Sequence, residues 1–269
     1  VGSLTSVRGD APALVSGWGF VTNLPGTGSS DVPAFLRPWL INEMRKRGVG
    51  SRQWQGTPTS PEELLNSPDT AVVRVEGLMP MGARVGTRFD VLVSALPGTQ
   101  TTSLEGGQLW TCDLAVGGAN TAMAFSKKLA QANGPLYLNP FEDELEAKQR
   151  LELQRQAVVL AGGVATVSRH LELLLNQPSM QRCRLIADRI NQRYPHEDAA
   201  QFFNTAVPRD EQTITLNIPK RFSRDPQRFL ELVQRLFLVT DEGFEPQKAQ
   251  ELLEYLITNP DQAHTITLA

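Results

Sequence analysis

The chain has 269 residues, of which 41% are apolar, and it carries a formal net charge of −3. This apolar fraction is enough to build a buried core, which excludes an intrinsically disordered chain. A slightly acidic balance with only 7% aromatic residues argues against a nucleic-acid-binding surface, which needs clustered positive charge and stacking rings. The longest apolar runs stay below 18 residues, so the sequence predicts no membrane span.

The first predicted unit, residues 1–116, alternates short strands with one helix. Residues 4–7 and 15–24 are predicted strands, and a glycine-containing loop then leads to a helix at about 34–47, where apolar residues recur at helical spacing. Gly48 follows as a natural helix stop. Three more strands are predicted, at 70–77, 88–96 and 109–116. Their short connections favour an antiparallel meander.

Three further segments complete the prediction. Residues 117–157 are predicted to be an irregular stretch followed by a charged helical insertion, because carboxylates come early in 141–156 and basic residues late. Residues 158–240 form a second α+β unit, and residues 241–269 begin a helical extension. The predicted elements of the second α+β unit are two strands within 158–175, a helix at 179–194, a strand at 213–218 and a helix at 226–239. The predicted fold is therefore α+β: two successive α/β units with mostly antiparallel sheets, plus a C-terminal helical extension.

The two chain ends and the two cysteines bear on cellular compartment. The chain starts at Val1 without a basic and apolar leader, which we interpret as a mature or trimmed product. The last residues, 265–269, are apolar and uncapped, so we expect the natural protein to continue. Cys112 and Cys183 belong to no C-x-x-C pair, which argues against a zinc or redox motif. Buried free thiols and a single disulfide both stay open.

Residue spacings typical of catalysis or cofactor binding are missing from the sequence. The three histidines are isolated, and none belongs to an H-E-x-x-H motif. Gly26-Thr27-Gly28 resembles a phosphate loop, but it lacks the Walker spacing and the Lys-Ser/Thr pair, and Asp31 stands where a dinucleotide fingerprint needs its third glycine. We interpret it as a tight turn. The sequence thus predicts no catalytic residue, cofactor or metal site, and a protein that is not an enzyme.

Four segments form an ordered series of glycines and apolar residues. They are V-S-G-W-G-F-V-T-N-L-P-G-T-G-S at 15–29, A-R-V-G-T-R-F-D-V-L-V-S at 83–94, S-L-E-G-G-Q-L at 103–109 and a helix at 177–191. The series resembles the bacterial flagellar P-ring protein family over roughly residues 4 to 239. The chain departs from the family pattern at about 141–155 and after Thr240.

The resemblance implies a periplasmic structural protein without a cofactor, whose copies pack side by side around the flagellar rod at the peptidoglycan layer. A closed ring needs two different, complementary surfaces on each subunit. We expect them at the basic end of the first helix and on the charged arm, which makes the predicted assembly residues Arg45, Arg47, Glu142, Glu144 and Lys148. The expected partners are further copies of the chain, with the rod or peptidoglycan as others.

Two other classes of function stay open at this stage. The first is a cell-envelope binding module that reuses the fold outside the flagellum and takes a protein or peptidoglycan as its partner. Helical repeats after residue 269 would favour it. The second is a hydrolase of envelope polymers, which a buried carboxylate pair in a cleft would favour.

Overall fold

A computed structural model of the chain describes residues 1–49, 60–116, 127–139, 147–195, 204–223 and 225–238, with helical positions at 250, 253–254 and 257–258. The strands are β1 (Thr5–Arg8), β2 (Ala13–Thr22), β3 (Ala71–Met79), β4 (Arg88–Ala95), β5 (Gln108–Val116), β6 (Lys128–Pro135), β7 (Gln156–Ala165), β8 (Leu171–Leu175), β9 (Ala206–Pro208) and β10 (Thr213–Leu216). The α-helices are α1 (Arg37–Lys46), α2 (Pro61–Leu65), α3 (Ala147–Gln154), α4 (Met180–Arg193) and α5 (Pro226–Gln234).

The chain divides into two compact units. The barrel unit is Pro12–Ser168, and the sheet unit combines Val1–Ala11 with Arg169–Ala269. The sheet unit is thus discontinuous in sequence, and the barrel unit is inserted between its two pieces. Among the described residues, every helix is too short or too polar to cross a lipid bilayer.

The barrel unit is a closed antiparallel barrel with the neighbour order β2-β3-β4-β7-β6-β5, in which β5 pairs back onto β2. Alternation along β4 places Phe89, Val91 and Val93 in the core and leaves Arg88 and Asp90 exposed, which confirms the predicted faces of this strand.

Two glycines make room for the largest ring of the barrel core. A Cβ on Gly77 or on Gly163 would lie 2.7 or 2.6 Å from the ring of Phe89. Both glycines sit on strands, β3 and β7, that pair with β4 on either side. The ring of Phe89 therefore occupies space that any larger residue at these two positions would take.

Two helices pack on the outside of β2 and β3. Leu40 and Met44 of α1 and Leu65 of α2 form one buried cluster with Phe20 and Val72, whose side chains leave the barrel wall on its outer face. A capping box begins α2, because Ser60 accepts from the Glu63 N–H at 3.1 Å while the Glu63 carboxylate accepts from the Ser60 N–H at 2.9 Å. This outer layer explains why β2 is apolar on both faces.

The sheet unit is a four-stranded antiparallel sheet with the order β1-β8-β10-β9. The amphipathic spacing of residues 179–194 predicts a helix in this part of the chain. The structure confirms it, because α4 buries Cys183, Ile186, Ala187 and Ile190 on one side. The Ser179 side chain caps this helix by accepting from the Arg182 N–H. In α5 the buried residues are Phe229, Leu230 and Val233.

The α+β class with antiparallel sheets is confirmed, and helical positions occur after residue 250. The predicted serial boundaries at 116, 157 and 240 do not coincide with the two units. The reason is strand pairing: β1 joins β8, with Thr5 opposite Leu175, and β7, which the boundary at 157 would divide, closes the barrel between β4 and β6.

Two local expectations need correction. The stretch 117–140 was predicted to be irregular, but β6 occupies 128–135 and pairs with both β5 and β7. The expected meander of the three strands at 70–77, 88–96 and 109–116 is also wrong at its last step, because β5 lies between β2 and β6. Both differences arise because the barrel closes: β6 pairs with β7 and β5, and β5 pairs with β2. Part of the predicted charged helix, 141–146, lies outside the described residues.

Candidate assembly surfaces

The predicted basic surface at the end of α1 is paired within the barrel unit. Arg45 forms an ion pair with Glu62 at 2.8 Å, and Lys46 pairs with Glu43 at 2.7 Å. Arg47 lies 3.4 Å from the Asp113 carboxylate. The last turn of α1 therefore fixes the helix to α2 and to β5, and much of its positive charge is balanced locally.

Asp113 is the centre of a polar network on β5. Its carboxylate accepts from Lys128 and, at 2.9 Å, from Gln131 Nε2, both of which lie on β6. Burial acts to raise the pKa of Asp113, but the hydrogen bonds from Lys128 and Gln131, with the charges of Lys128 and Arg47, hold that pKa below its usual value. The carboxylate thus ties two strands to the end of α1.

An Asp113→Asn variant is expected to lose about 1 kcal/mol of unfolding free energy at pH 7, the scale of a partly exposed ion pair. Because the folded-state pKa of Asp113 is lowered, its contribution is present above the unfolded pKa of about 4 and is lost as the pH falls through the folded pKa. The difference between the variant and the parent, from urea unfolding followed by tryptophan fluorescence, should therefore shrink between pH 7 and pH 3. Glu105→Gln, at an exposed turn, is the control. An equal difference at both pH values would contradict this account.

Three tryptophans line a groove beside this network. Trp18 on β2, Trp39 on α1 and Trp110 on β5 are each half-buried, and Glu43 and Thr111 lie at the same groove. The rings of Phe20 and Trp110 meet edge to face, with centroids 5.5 Å apart. The space inside the groove is only about 30 Å³, room for a water or two, so the three rings chiefly pack against the cluster that holds α1 on the barrel.

The loop that follows β2 is held by hydrogen bonds and does not offer a phosphate cradle. The backbone N–H groups of Gly26, Gly28 and Ser29 donate to oxygens of residues 68–70 at 3.0, 2.8 and 2.8 Å. In a phosphate loop such donors would point at the anion instead. The structure therefore agrees with the interpretation of Gly26-Thr27-Gly28 as a turn.

Both cysteines are free and buried, and they belong to different units. Burial raises the pKa of the Cys112 thiol to about 12, and the charge of Asp113 acts in the same direction. Burial also raises the pKa of Cys183, helped by the charges of Asp210 and Glu211. Both groups are therefore protonated thiols near neutral pH, a poor state for a nucleophile or a metal ligand.

Titratable groups are dispersed over the described part of the chain. Within those residues, no three side chains of the His, Cys, Asp or Glu type come together as a metal site would require. His170 is exposed in the sheet unit, while His196 and His264 lie outside the described residues.

The charged arm contributes the other half of the predicted surface. Glu142 and Glu144 lie outside the described residues, and so does the side chain of Lys148, although α3 includes its backbone. The five residues therefore stay a prediction.

Sequence reasoning gave little weight to the outer side of α4, where arginines cluster. Arg182, Arg184, Leu185 and Arg193 are all exposed, on the helix surface that flanks the buried side. Arg182 donates to Gln177 Oε1 at 3.2 Å, and Arg189 Nε donates to the Phe237 carbonyl at 3.2 Å. The signal was present in the amphipathic pattern, because arginine fills half of the polar positions of this helix.

The sequence is similar to flagellar P-ring proteins of several bacteria over most of its length. The flagellar P-ring protein of Rhodopseudomonas palustris strain BisB5 is 28% identical over 245 residues, which covers 89% of this chain and 60% of the relative. That of Aquifex aeolicus strain VF5 is 26% identical over 249 residues, covering 88% and 61%. That of Oleidesulfovibrio alaskensis strain G20 is 29% identical over 216 residues, covering 77% and 51%.

The chain thus spans about three fifths of the length of the first of these relatives, which is covered to 60%. The family match itself extends from residue 1 to residue 243, through both units described above. The chain belongs to the flagellar P-ring protein family.

Proposed function

We propose that this chain is a structural, non-enzymatic subunit whose copies assemble into a periplasmic ring around the flagellar rod. The observation that carries the proposal is the family match over residues 1–243, which includes the barrel unit and most of the sheet unit. Because the chain covers about three fifths of its relatives, the rod, the peptidoglycan layer and the ring itself are all part of this proposal.

The described surfaces fit a role in packing. Loops at the end of β2, before β3 and after β4 are joined by hydrogen bonds, for example from Thr102 N–H to the Thr27 carbonyl at 2.9 Å and from Gln100 N–H to Ser29 Oγ at 3.1 Å. Rigid, well-connected loops lower the entropy that a subunit loses when it packs against a neighbour.

A ring also needs two complementary surfaces on one subunit. Arg45, Arg47, Glu142, Glu144 and Lys148 remain our proposed assembly residues, with unequal roles. Arg45 and Arg47 already pair with carboxylates of their own unit. We therefore expect the acidic residues of 142–146 to contribute more to a contact with a neighbour than Arg45 and Arg47 do.

Native mass measurement tests the proposal directly. We expect the exported, full-length protein to form large closed rings in light scattering and negative-stain imaging, alone or with cell-wall fragments. A strict monomer at high concentration would overturn the ring proposal and favour a binding module of the cell envelope.

An open pocket of about 480 Å³ beside Trp110 favours that second function, with peptidoglycan as the partner. Sugar rings stack their C–H faces on aromatic side chains, and Thr111 and Asn133 add polar groups to this pocket. If the protein is such a module, Trp110→Ala should reduce its co-sedimentation with purified sacculi several-fold, while Tyr137→Ala, which removes an exposed ring elsewhere on the barrel unit, should not. Equal binding by both variants would remove the support for this function.

A further inference from the structure

One side of α4 carries a line of basic side chains, of which Arg182 and Arg193 are exposed, while Arg189 is half-buried and donates to the Phe237 carbonyl. At 3.6 residues per turn, positions 182, 185, 189 and 193 fall on one side. We call Arg182, Leu185, Arg189 and Arg193 the arginine stripe. The stripe is about 16 Å long, from a rise of about 1.5 Å per residue. Its one apolar member, Leu185, is 55% exposed in the middle of the line.

Two members of the stripe, Arg182 and Arg193, form no ion pair within the described part of the sheet unit. Across the described residues, no carboxylate lies within ion-pair distance of Arg182 or Arg193, whereas Arg8 of the same unit pairs with Glu172 at 3.1 Å. α4 holds four arginines and a single carboxylate, Asp188. Four like charges on one short helix repel one another, so a favourable structure brings negative charge to this side.

The most acidic short stretch of the sequence has the complementary pattern. Residues 142–146 read Glu-Asp-Glu-Leu-Glu, with four carboxylates around one leucine. When extended, the five residues span at most about 18 Å, close to the length of the stripe. A leucine flanked by carboxylates matches a leucine flanked by arginines in charge and in apolar content.

We propose that the arginine stripe of one subunit binds the acidic segment 142–146 of a neighbouring copy. The inference rests on the proposed function, since it supplies the two different surfaces that a closing ring requires. It also changes the expected basic partner of Glu142 and Glu144, because Arg45 and Arg47 are satisfied within their own unit while Arg182 and Arg193 face solvent. Arginine suits this contact because its fork of donors matches carboxylates.

Charge reversal in the full-length, exported protein tests the contact. An Arg182→Glu/Arg193→Glu variant should need at least about tenfold more protein for half-maximal assembly in light scattering, because like charges replace complementary ones. Adding Glu142→Lys/Glu144→Lys to the same chain should restore much of the assembly. Since all four residues are substituted on every copy, the rescue reports on the contact between the two surfaces.

The control variant makes the same change of charge at two arginines outside the stripe. Arg184→Glu/Arg228→Glu reverses two exposed arginines, one on the other flank of α4 and one on α5, and should assemble like the parent protein. Far-UV circular dichroism (CD) should give all variants the thermal unfolding of the parent, which keeps loss of folding apart from loss of contact.

The outcomes separate the two proposals. If the parent protein forms no oligomer, the ring function itself fails. If the parent assembles and the Arg182/Arg193 variant assembles equally well, only the stripe contact is overturned. If that variant fails to assemble and the lysine substitutions give no rescue, the stripe binds something other than segment 142–146, and the proposed pairing is again overturned.

Discussion

A Phe229→Ala variant is expected to lower the free energy of unfolding of the sheet unit by about 4 kcal/mol, the scale measured for deleting a fully buried ring. Phe229 lies on α5 with 0% of its surface exposed. Its ring centroid is 5.8 Å from that of Tyr194 in an edge-to-face contact and 5.4 Å from that of Phe222. Removing it leaves a cavity and also ends two aromatic contacts.

Two spectroscopic signals distinguish the units in this experiment. Every tryptophan lies between residues 18 and 110, within the barrel unit, whereas far-UV CD reports on both units. In urea, the CD transition of the variant should begin at lower concentration while the tryptophan transition stays in place. Equal shifts of both would show that the two units unfold together.

The control for this variant is Phe237→Ala. Phe237 belongs to the same unit but is 42% exposed, so its removal should cost about 1 kcal/mol or less. If Phe229→Ala proved no more harmful than Phe237→Ala, the assignment of Phe229 to the centre of the sheet-unit core would be wrong.

A Gly28→Ala variant is expected to lower the free energy of unfolding of the barrel unit by about 3 kcal/mol, the upper part of the range for overpacked sites. A Cβ at position 28 would lie 2.1 Å from the Thr70 carbonyl oxygen and 2.6 Å from that of Pro68. Both obstacles are backbone atoms, so the loop must move as a whole. That movement breaks hydrogen bonds such as the one from Gly28 N–H to the Pro68 carbonyl at 2.8 Å.

A Gly26→Ala variant is the control, because it tests the effect of backbone conformation without a steric clash. Gly26 has a φ of 71° but open space around the position of a Cβ. Alanine there carries only the left-handed backbone strain, about 1–2 kcal/mol. Urea unfolding followed by tryptophan fluorescence should therefore rank Gly28→Ala as the more damaging change, and the reverse order would refute the close approach at Gly28.

Local sequence patterns were sufficient to predict the buried side of an element where only one face of that element packs against the core. The alternation of β4 and the helical spacing of α4 predicted the buried sides of both. By contrast, β6 (Lys-Leu-Ala-Gln-Ala-Asn-Gly-Pro) has no β-branched residue and owes its strand to pairing with β5 and β7. Such pairing joins distant parts of the chain, so a local pattern cannot reveal it.

The candidate surface was harder to predict for a similar reason. The positive charge at the end of α1 was visible in the sequence, but its pairing with Asp113 depends on the packing of α1 against β5. The same is true of Arg45, whose partner Glu62 begins a different helix. Charge alone identifies a candidate surface, and only the fold shows which charges are already balanced.

The nested order of the units sets the order in which they can fold. Thr5 of β1 pairs with Leu175 of β8, and the whole barrel unit lies between them in sequence. If the chain emerges from its N-terminal end, all six barrel strands become available before β8 does. We expect pulsed hydrogen exchange to protect β2 to β7 before β1, since contacts of large sequence separation form late. Until then β1 has no partner strand and presents unpaired backbone donors and acceptors, which makes it the segment most exposed to misassembly or to capture by a chaperone.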